Sequence, residues 1–520
     1  MSRARMVAVA GAIAAVGGLG AATVGVLGPL PAASAGGAGV TITVDTFDDE
    51  WTEDGDCSLR EALFSANRDS AFDECAAGDG PDTIVLPAGT YVLSLPDGPN
   101  GADVELDLDV QDAVTLRGAG ASTTTIDADG IDRVISAQDD LVVEGLTITG
   151  GVNDDPGPGG GIQTSGMLLE IRDSVITGNE TPGSGGGIAF EPQLRRDTFA
   201  PSGELAIGEL VVVDSTISDN TGGGEGGGVF VNGDRHTVEF TRSTVSGNTA
   251  GAGGGIHIDD QNDLTIDDST ISGNTATGEE PDFEPMPSIR RQQQEFCGLA
   301  GGGLNQEEPT EAGDGFVGST EITNSTFSGN TSVLCPGGGM HVGVDTTLTN
   351  VTVVGNSAPS GANIYVLNFE SDITPGVLTL ANTIVADGDG GDCEVEGDDP
   401  VSAGGNIDTD GSCGLDDASD QTVDDVGLGA LAANGGTTLT HLPQAGSPAI
   451  DLALAEACPT ADQRGVTRPQ DGDDDGTTAC DVGAVEVVPA STPTTEPDDG
   501  VDSTTATPAT PTVARPNFTG

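Results

Sequence analysis

Between residues 111 and 426 the chain repeats one phrase of hydrophobic and polar positions. An alternating polar–apolar triplet is followed by a polar turn, a glycine run and a second alternating triplet. It reads LTITGGVNDDPGPGGGI from Leu146, SVITGNETPGSGGGI from Ser174, STISDNTGGGEGGGV from Ser215 and STVSGNTAGAGGGI from Ser243. STISGNTATG from Ser269, STFSGNTSVLCPGGGM from Ser325 and VTVVGNSAPSGANI from Val351 continue it. The turn asparagines are Asn179, Asn220, Asn248, Asn274, Asn330 and Asn356, at steps of 41, 28, 26, 56 and 26. Fixed periods of this kind mark a solenoid. The short steps predict one coil of three short strands, and the two long ones add an insertion or a doubled coil.

Strand alternation supplies the winding. Each strand sends one residue in and the next out, and the following coil pairs with it about 4.8 Å away. The inward set after the glycine runs is Ile162, Ile188/Phe190, Val229/Val231, Ile256/Ile258, Met340/Val342 and Ile364/Val366. The turn asparagines are expected in the left-handed region, with their amides bonded along the stack. The fold class is all-β: a single-stranded right-handed parallel β-helix.

The ends read differently. CSLREALFSAN, residues 57–67, places Leu59, Ala62, Leu63 and Ala66 on one helical face, which suits a cap over the open strand edges. Residues 41–110 therefore form an N-terminal cap with the first strands, from PDTIVLPAGTYVLSL onward. Residues 427–488 lack the repeat and are expected to close the other end. Residues 489–520 are rich in Thr, Pro, Ser and acid and read as a disordered tail. Insertions leave the coil at about 191–208, 279–300 and 307–318.

Composition agrees with a solenoid: glycine is 81 of 520 residues and aromatics are 3%, too few for a large mixed core. The net charge is −68, which argues against nucleic acid and anionic lipid as partners. Arg3 and Arg5, the apolar run from Met6 to Leu30 and Ala33-Ser34-Ala35 read as a signal peptide over residues 1–35, with a membrane anchor as the alternative. No later run is long enough to span a bilayer, so the mature chain is expected to be secreted or on the cell surface. Export makes disulfides the natural reading of eight cysteines. Locality alone couples Cys57 with Cys75, Cys297 with Cys335, Cys393 with Cys413, and Cys458 with Cys480. Zinc is the rival, without a CxxC pair or Cys/His cluster to support it.

Two segments resemble known families. CSLREALFSAN with DTIVLPAGTYVLSL resembles the CSLREA domain of secreted bacterial β-helix proteins. GGTTLTHLPQAGSPAIDLA with DQRGVTRPQDGDDDGTTACDVGAVE resembles the choice-of-anchor Q domain at their C-terminal ends. The coils are similar to the repeats of polymorphic outer-membrane proteins, with Phe327-Ser-Gly-Asn330 and the GGGI runs as counterparts. The resemblance implies a pectate-lyase-like β-helix, a fold that hosts lyases, hydrolases and adhesins.

For chemistry, the outward position after each glycine run reads Gln163, Ala189, Phe230, His257, Asn305, His341 and Tyr365. In register they form a strip whose aromatic and polar members suit stacking and hydrogen bonding to sugar rings; the alternative is a solvated strand face. Phe230, His257, Asn305, His341 and Tyr365 are the candidate ligand-binding residues. Near them, Asp259 and Asp260 follow His257, and Asp234-Arg235-His236 lies earlier, with Arg235 and Arg242 as potential lyase bases; none of these fixes a catalytic set. Asp471, Asp473 and Asp475 match the first half of a calcium loop, but Val482 stands where its bidentate Glu belongs. Ca²⁺ is thus the one cofactor suggested, against a plain acidic loop. The leading functional expectation is non-catalytic binding or adhesion to polysaccharide or a neighbouring surface. A pectate-lyase-like lyase or glycoside hydrolase is the alternative, and a structural surface component the third.

Overall fold

A computed structural model describes residues 39–95, 106–153, 157–193, 207–259, 261–278, 301–307, 318–367, 376–397 and 399–489. The expected signal peptide, most of the tail and of the insertions, Asp260 and Cys297 lie outside them. The described chain is a right-handed parallel β-helix whose strand pairings are all parallel. Three long sheets of 12, 10 and 12 strands run along the rod, and a short sheet of 5 makes an extra corner. One coil shows the path. Val229–Val231 lies in the second sheet, Thr237–Thr241 in the first, Thr244–Ser246 in the third and Thr249–Ala250 in the short one. Ile256–Ile258 then lands beside Val229–Val231.

The inward set is as expected: Ile162, Ile188, Val229, Ile256, Met340 and Ile364 are fully buried in one aliphatic core. The asparagine ladder is continuous. Asn179 Nδ2 donates to Asn220 Oδ1, Asn220 to Asn248 and Asn248 to Asn274, each at 3.0 Å. Asn274 reaches Asn330 at 2.9 Å, and Asn330 reaches Asn356 at 3.0 Å. Both long steps are therefore single coils carrying insertions, not doubled coils. The left-handed residue is not the asparagine but its predecessor: Gly178, Asp219, Gly247, Gly273, Gly329 and Gly355 all have positive φ. The asparagine points inward, because only there do its amide and oxygen meet equivalents on neighbouring coils. The glycine runs answer to close approach. A Cβ on Gly228 would stand 2.6 Å from the Gly255 carbonyl oxygen and 3.0 Å from Asn248 Nδ2.

The N-terminal helix spans Leu59–Ala66, with Ser58 and Glu61 forming a capping box. Asn67, just past it, donates to the Asp109 carbonyl at 2.9 Å and accepts from the Gln111 amide at 2.8 Å, tying the helix to the first strand of the second sheet. No helix of the described residues is long and apolar enough to cross a membrane. Cys57–Cys75, Cys393–Cys413 and Cys458–Cys480 are disulfides as expected. Cys297, the expected partner of Cys335, is outside the described residues.

Residues 427–489 correct one expectation: they dock along the flank of the third sheet, spanning several coils. Gln463 Nε2 donates to the Ser269 carbonyl at 3.0 Å and to Thr270 Oγ1 at 2.9 Å, while Thr326 Oγ1 donates to Gln463 Oε1 at 2.6 Å. Further along, Asn350 Nδ2 donates to the carbonyls of Asp481 and Gly483, and Asn382 Nδ2 to that of Leu454. Outward threonines and asparagines on successive coils give this segment a polar ladder to bind. A small second core (Val354, Ile384, Ile407, Val426, Ala449 and Val482) fills the seam.

Candidate functional site

The second sheet brings the strip into register as expected: Gln163, Ala189, Phe230, His257, Asn305, His341 and Tyr365 are successive partners. Its exposure is the correction. Phe230 and Tyr365 are 5% exposed, His341 is 1%, and His257 and Asn305 are 0%. Stacking accounts for part of this: Phe230 and His257 have ring centroids 5.7 Å apart, and His341 and Tyr365 lie nearly parallel at 5.2 Å. Each ring covers the next, so this stretch offers sugar no open aromatic face.

Three carboxylates lie around the buried His257. Its Nε2 is 2.8 Å from Asp259 Oδ1, 3.5 Å from Glu307 Oε1 and 3.9 Å from Glu225 Oε2. Strand geometry sets two of them. Asp259 follows Ile258 and Glu307 follows Gln306, and these strand ends are paired neighbours. Glu225 enters from the glycine run of the preceding coil. The carboxylates are 18–27% exposed, so they form the solvent side of the cluster and the imidazole its floor. Burial alone would discharge His257. Hydrogen bonds to Asp259 and Glu307, with the charges of Glu225 and Glu307, outweigh it and push the imidazole up to about 10.

Behind His257, one amide bridges two imidazoles. Asn305 Nδ2 is 3.1 Å from His257 Nδ1, and Asn305 Oδ1 is 2.5 Å from His341 Nδ1. In this orientation the amide donates to a bare Nδ1, which suits a neutral His257 with its proton on Nε2. A cationic His257 must donate from Nδ1, so the amide turns end for end and His341 moves its proton to Nε2. Burial, then repulsion from His257, hold His341 neutral by lowering it to about 3. The three side chains therefore change state together, and the carboxylates favour the cationic arrangement at neutral pH.

Sequence reasoning named His257 and Asp259 but missed Glu225 and Glu307. The available signal for Glu225 is its place as the one acid inside a glycine run; Glu307 had none before the 56-residue step was resolved as an insertion. His236 is structural: buried, it accepts from the Gly208 amide at 3.1 Å, and desolvation lowers it to about 4. Arg242 is held by Asp214 at 2.7 and 2.8 Å and so is not placed as a base.

The acidic loop is rearranged relative to expectation. Asp471 and Asp473 converge with Asp451, not with Asp475. The Asp475 carboxylate instead accepts from the Thr477 amide at 2.7 Å. A turn bond within the loop turns Asp475 away, and residue 451 is brought in by the Ala453–Cys480 bridge. Asp451, Asp471 and Asp473 are the residues that could hold Ca²⁺ here. The set Glu225, His257 and Asp259 could also hold a divalent ion.

No family model and no curated protein matches the chain. Among solved structures, pectate lyase Pel9A aligns at 13% identity with a TM-score of 0.46, over 86% of this chain and 96% of that one. The A-module of the mannuronan C-5 epimerase AlgE4 of Azotobacter vinelandii aligns at 15% identity and TM-score 0.28, over 64% and 83%. The PL6 family alginate lyase AlyGC aligns at 12% and 0.24, over 74% and 56%. These are likenesses of chain path, and no residue of the His257 cluster takes a role from them.

Proposed function

We propose that this is an exported enzyme that hydrolyses polysaccharide at the His257 cluster. The carrying observation is the convergence of three part-exposed carboxylates on one buried imidazole. Keeping an ionisable floor under carboxylates is costly for a purely structural face, and such groups gather where chemistry is done. Glu225 and Glu307 are the pair that can touch substrate. Their oxygens are 3.9 and 3.5 Å from the same nitrogen, so they lie closer than the sum of those legs. That upper bound of about 7.4 Å admits the roughly 5–5.5 Å spacing at which one carboxyl group acts as acid and the other as nucleophile on a glycosidic bond. His257 acts as a positioning residue that holds the pair by charge, the carboxylates set its protonation, and Asn305 and His341 adjust their hydrogen bonds to it. The disulfides and the CSLREA-like and choice-of-anchor Q-like ends support export.

Adhesion through an open aromatic strip is not carried forward, because the rings are covered. The test is reducing-end release by the purified mature chain from a panel of neutral and acidic polysaccharides, with and without Ca²⁺. Release abolished by Glu225→Gln or Glu307→Gln is the expected result. No release from any polymer, with binding intact, would return the protein to the adhesion class.

A further inference from the structure

The chain contains a single tryptophan, Trp51, and it stands 43% exposed at the N-terminal end of the rod. It forms one wall of a pocket of about 220 Å³ lined also by Phe64, Asn67, Arg68, Asp109 and Gln111. Trp51 meets Phe64 edge-on at 5.4 Å, and the Arg68 guanidinium stacks over the Phe64 ring at 4.1 Å. The floor is rigid, because Asn67 ties the helix to the strand Leu108–Val110. An aromatic wall beside polar side chains on a fixed floor is the chemistry that takes a pyranose ring: its C–H face packs on the indole, and its hydroxyls meet the exposed Gln111 amide. Arg68 adds a planar fork of N–H donors suited to a sugar carboxylate.

The pocket also lies on the row that carries His257. Asp109 pairs in register with Ser136, Ser136 with Gln163, Gln163 with Ala189, Ala189 with Phe230 and Phe230 with His257. Five steps of about 4.8 Å put the pocket roughly 24 Å from the cluster along the rod axis. Asp109, Ser136 and Gln163 are half-buried and polar or small, so this stretch of the row is the more open part, whereas Ala189 to Tyr365 is covered.

We propose that the Trp51 pocket is a docking subsite for a pyranose unit, a uronate by the chemistry of Arg68, on a polysaccharide laid along this row toward His257. The direction toward His257 rests on the function proposed above; binding in the pocket does not. Trp51 emission reports this pocket alone, so the full mature chain is titrated with hexagalacturonate and with cellohexaose. The expected result is a saturable emission change with hexagalacturonate, weakened roughly tenfold by Arg68→Ala, as for loss of a charged hydrogen bond. Saturation by cellohexaose that ignores Arg68→Ala, but is lost on calorimetry of Trp51→Ala, keeps the subsite and assigns a neutral sugar. No emission change with either probe overturns the subsite, as does calorimetric binding that Trp51→Ala leaves unchanged. Glu225→Gln separates the two readings: it should abolish turnover and leave the titration within twofold. An intact titration without turnover in the unaltered chain sinks the hydrolase reading alone.

Discussion

Replacing His257 by glutamine tests the charge at the centre of the site. The native imidazole is raised from 6.5 to about 10, burial being outweighed by hydrogen bonds to Asp259 and Glu307 and the charges of Glu225 and Glu307. A group whose pKa is raised on folding stabilises fully below its unfolded value and loses that contribution as pH climbs through the folded one. The window is therefore pH 6.5 to about 10. At about 1.4 kcal/mol per unit, the stabilisation lost across it is at most about 5 kcal/mol. Denaturant unfolding followed by far-ultraviolet circular dichroism at pH 6, 8 and 10 measures it in both proteins. Between pH 6 and 10 the native chain should lose several kcal/mol more than His257→Gln, and the His257 ring resonance should not titrate between pH 5 and 8. Other groups that titrate in this window, such as Asp268 and Asp481, each raised to about 7 by desolvation first, are common to both proteins and cancel. Parallel curves, or a His257 midpoint near 6.5, would refute the reasoning and with it the turned Asn305 amide.

Asn248→Ala removes two bonds donated by Nδ2, to Ile217 O and Asn274 Oδ1, and two accepted by Oδ1 from Asn220. With partners stranded in a fully buried turn, the loss should be roughly 3 kcal/mol or more by equilibrium unfolding, against under about 0.5 for exposed Thr265→Ala. Gly228→Val should prevent soluble folding, since its first side-chain atom already meets the Gly255 carbonyl oxygen at 2.6 Å; normal expression and melting would contradict the close-approach account. Gln463→Ala should speed hydrogen exchange across 427–489 while the coils stay protected, because its amide bridges that segment to two coils. Uniform protection would mean that the seam's apolar core alone holds the flank.

Local rules and the repeat made much of this protein legible. Alternation with a fixed period leaves one winding that buries Ile162 through Ile364 and stacks the asparagines, so coil, core and ladder were readable without coordinates. The apolar face of Leu59, Ala62, Leu63 and Ala66 likewise specifies the N-terminal helix from neighbours in sequence. The register of the strip followed from the same period. Its burial did not, because exposure depends on what lies over a face, and no local pattern encodes that. Glu225 and Glu307 were invisible for a related reason: 82 residues separate them, and their meeting at His257 depends on the 56-residue step being one coil with an insertion. The flank docking of 427–489 was decided by polar groups such as Gln463 and Ser269, 194 residues apart. A periodic sequence determines what repeats; contacts between non-repeating segments are set only when the whole rod is wound and their groups find partners across it.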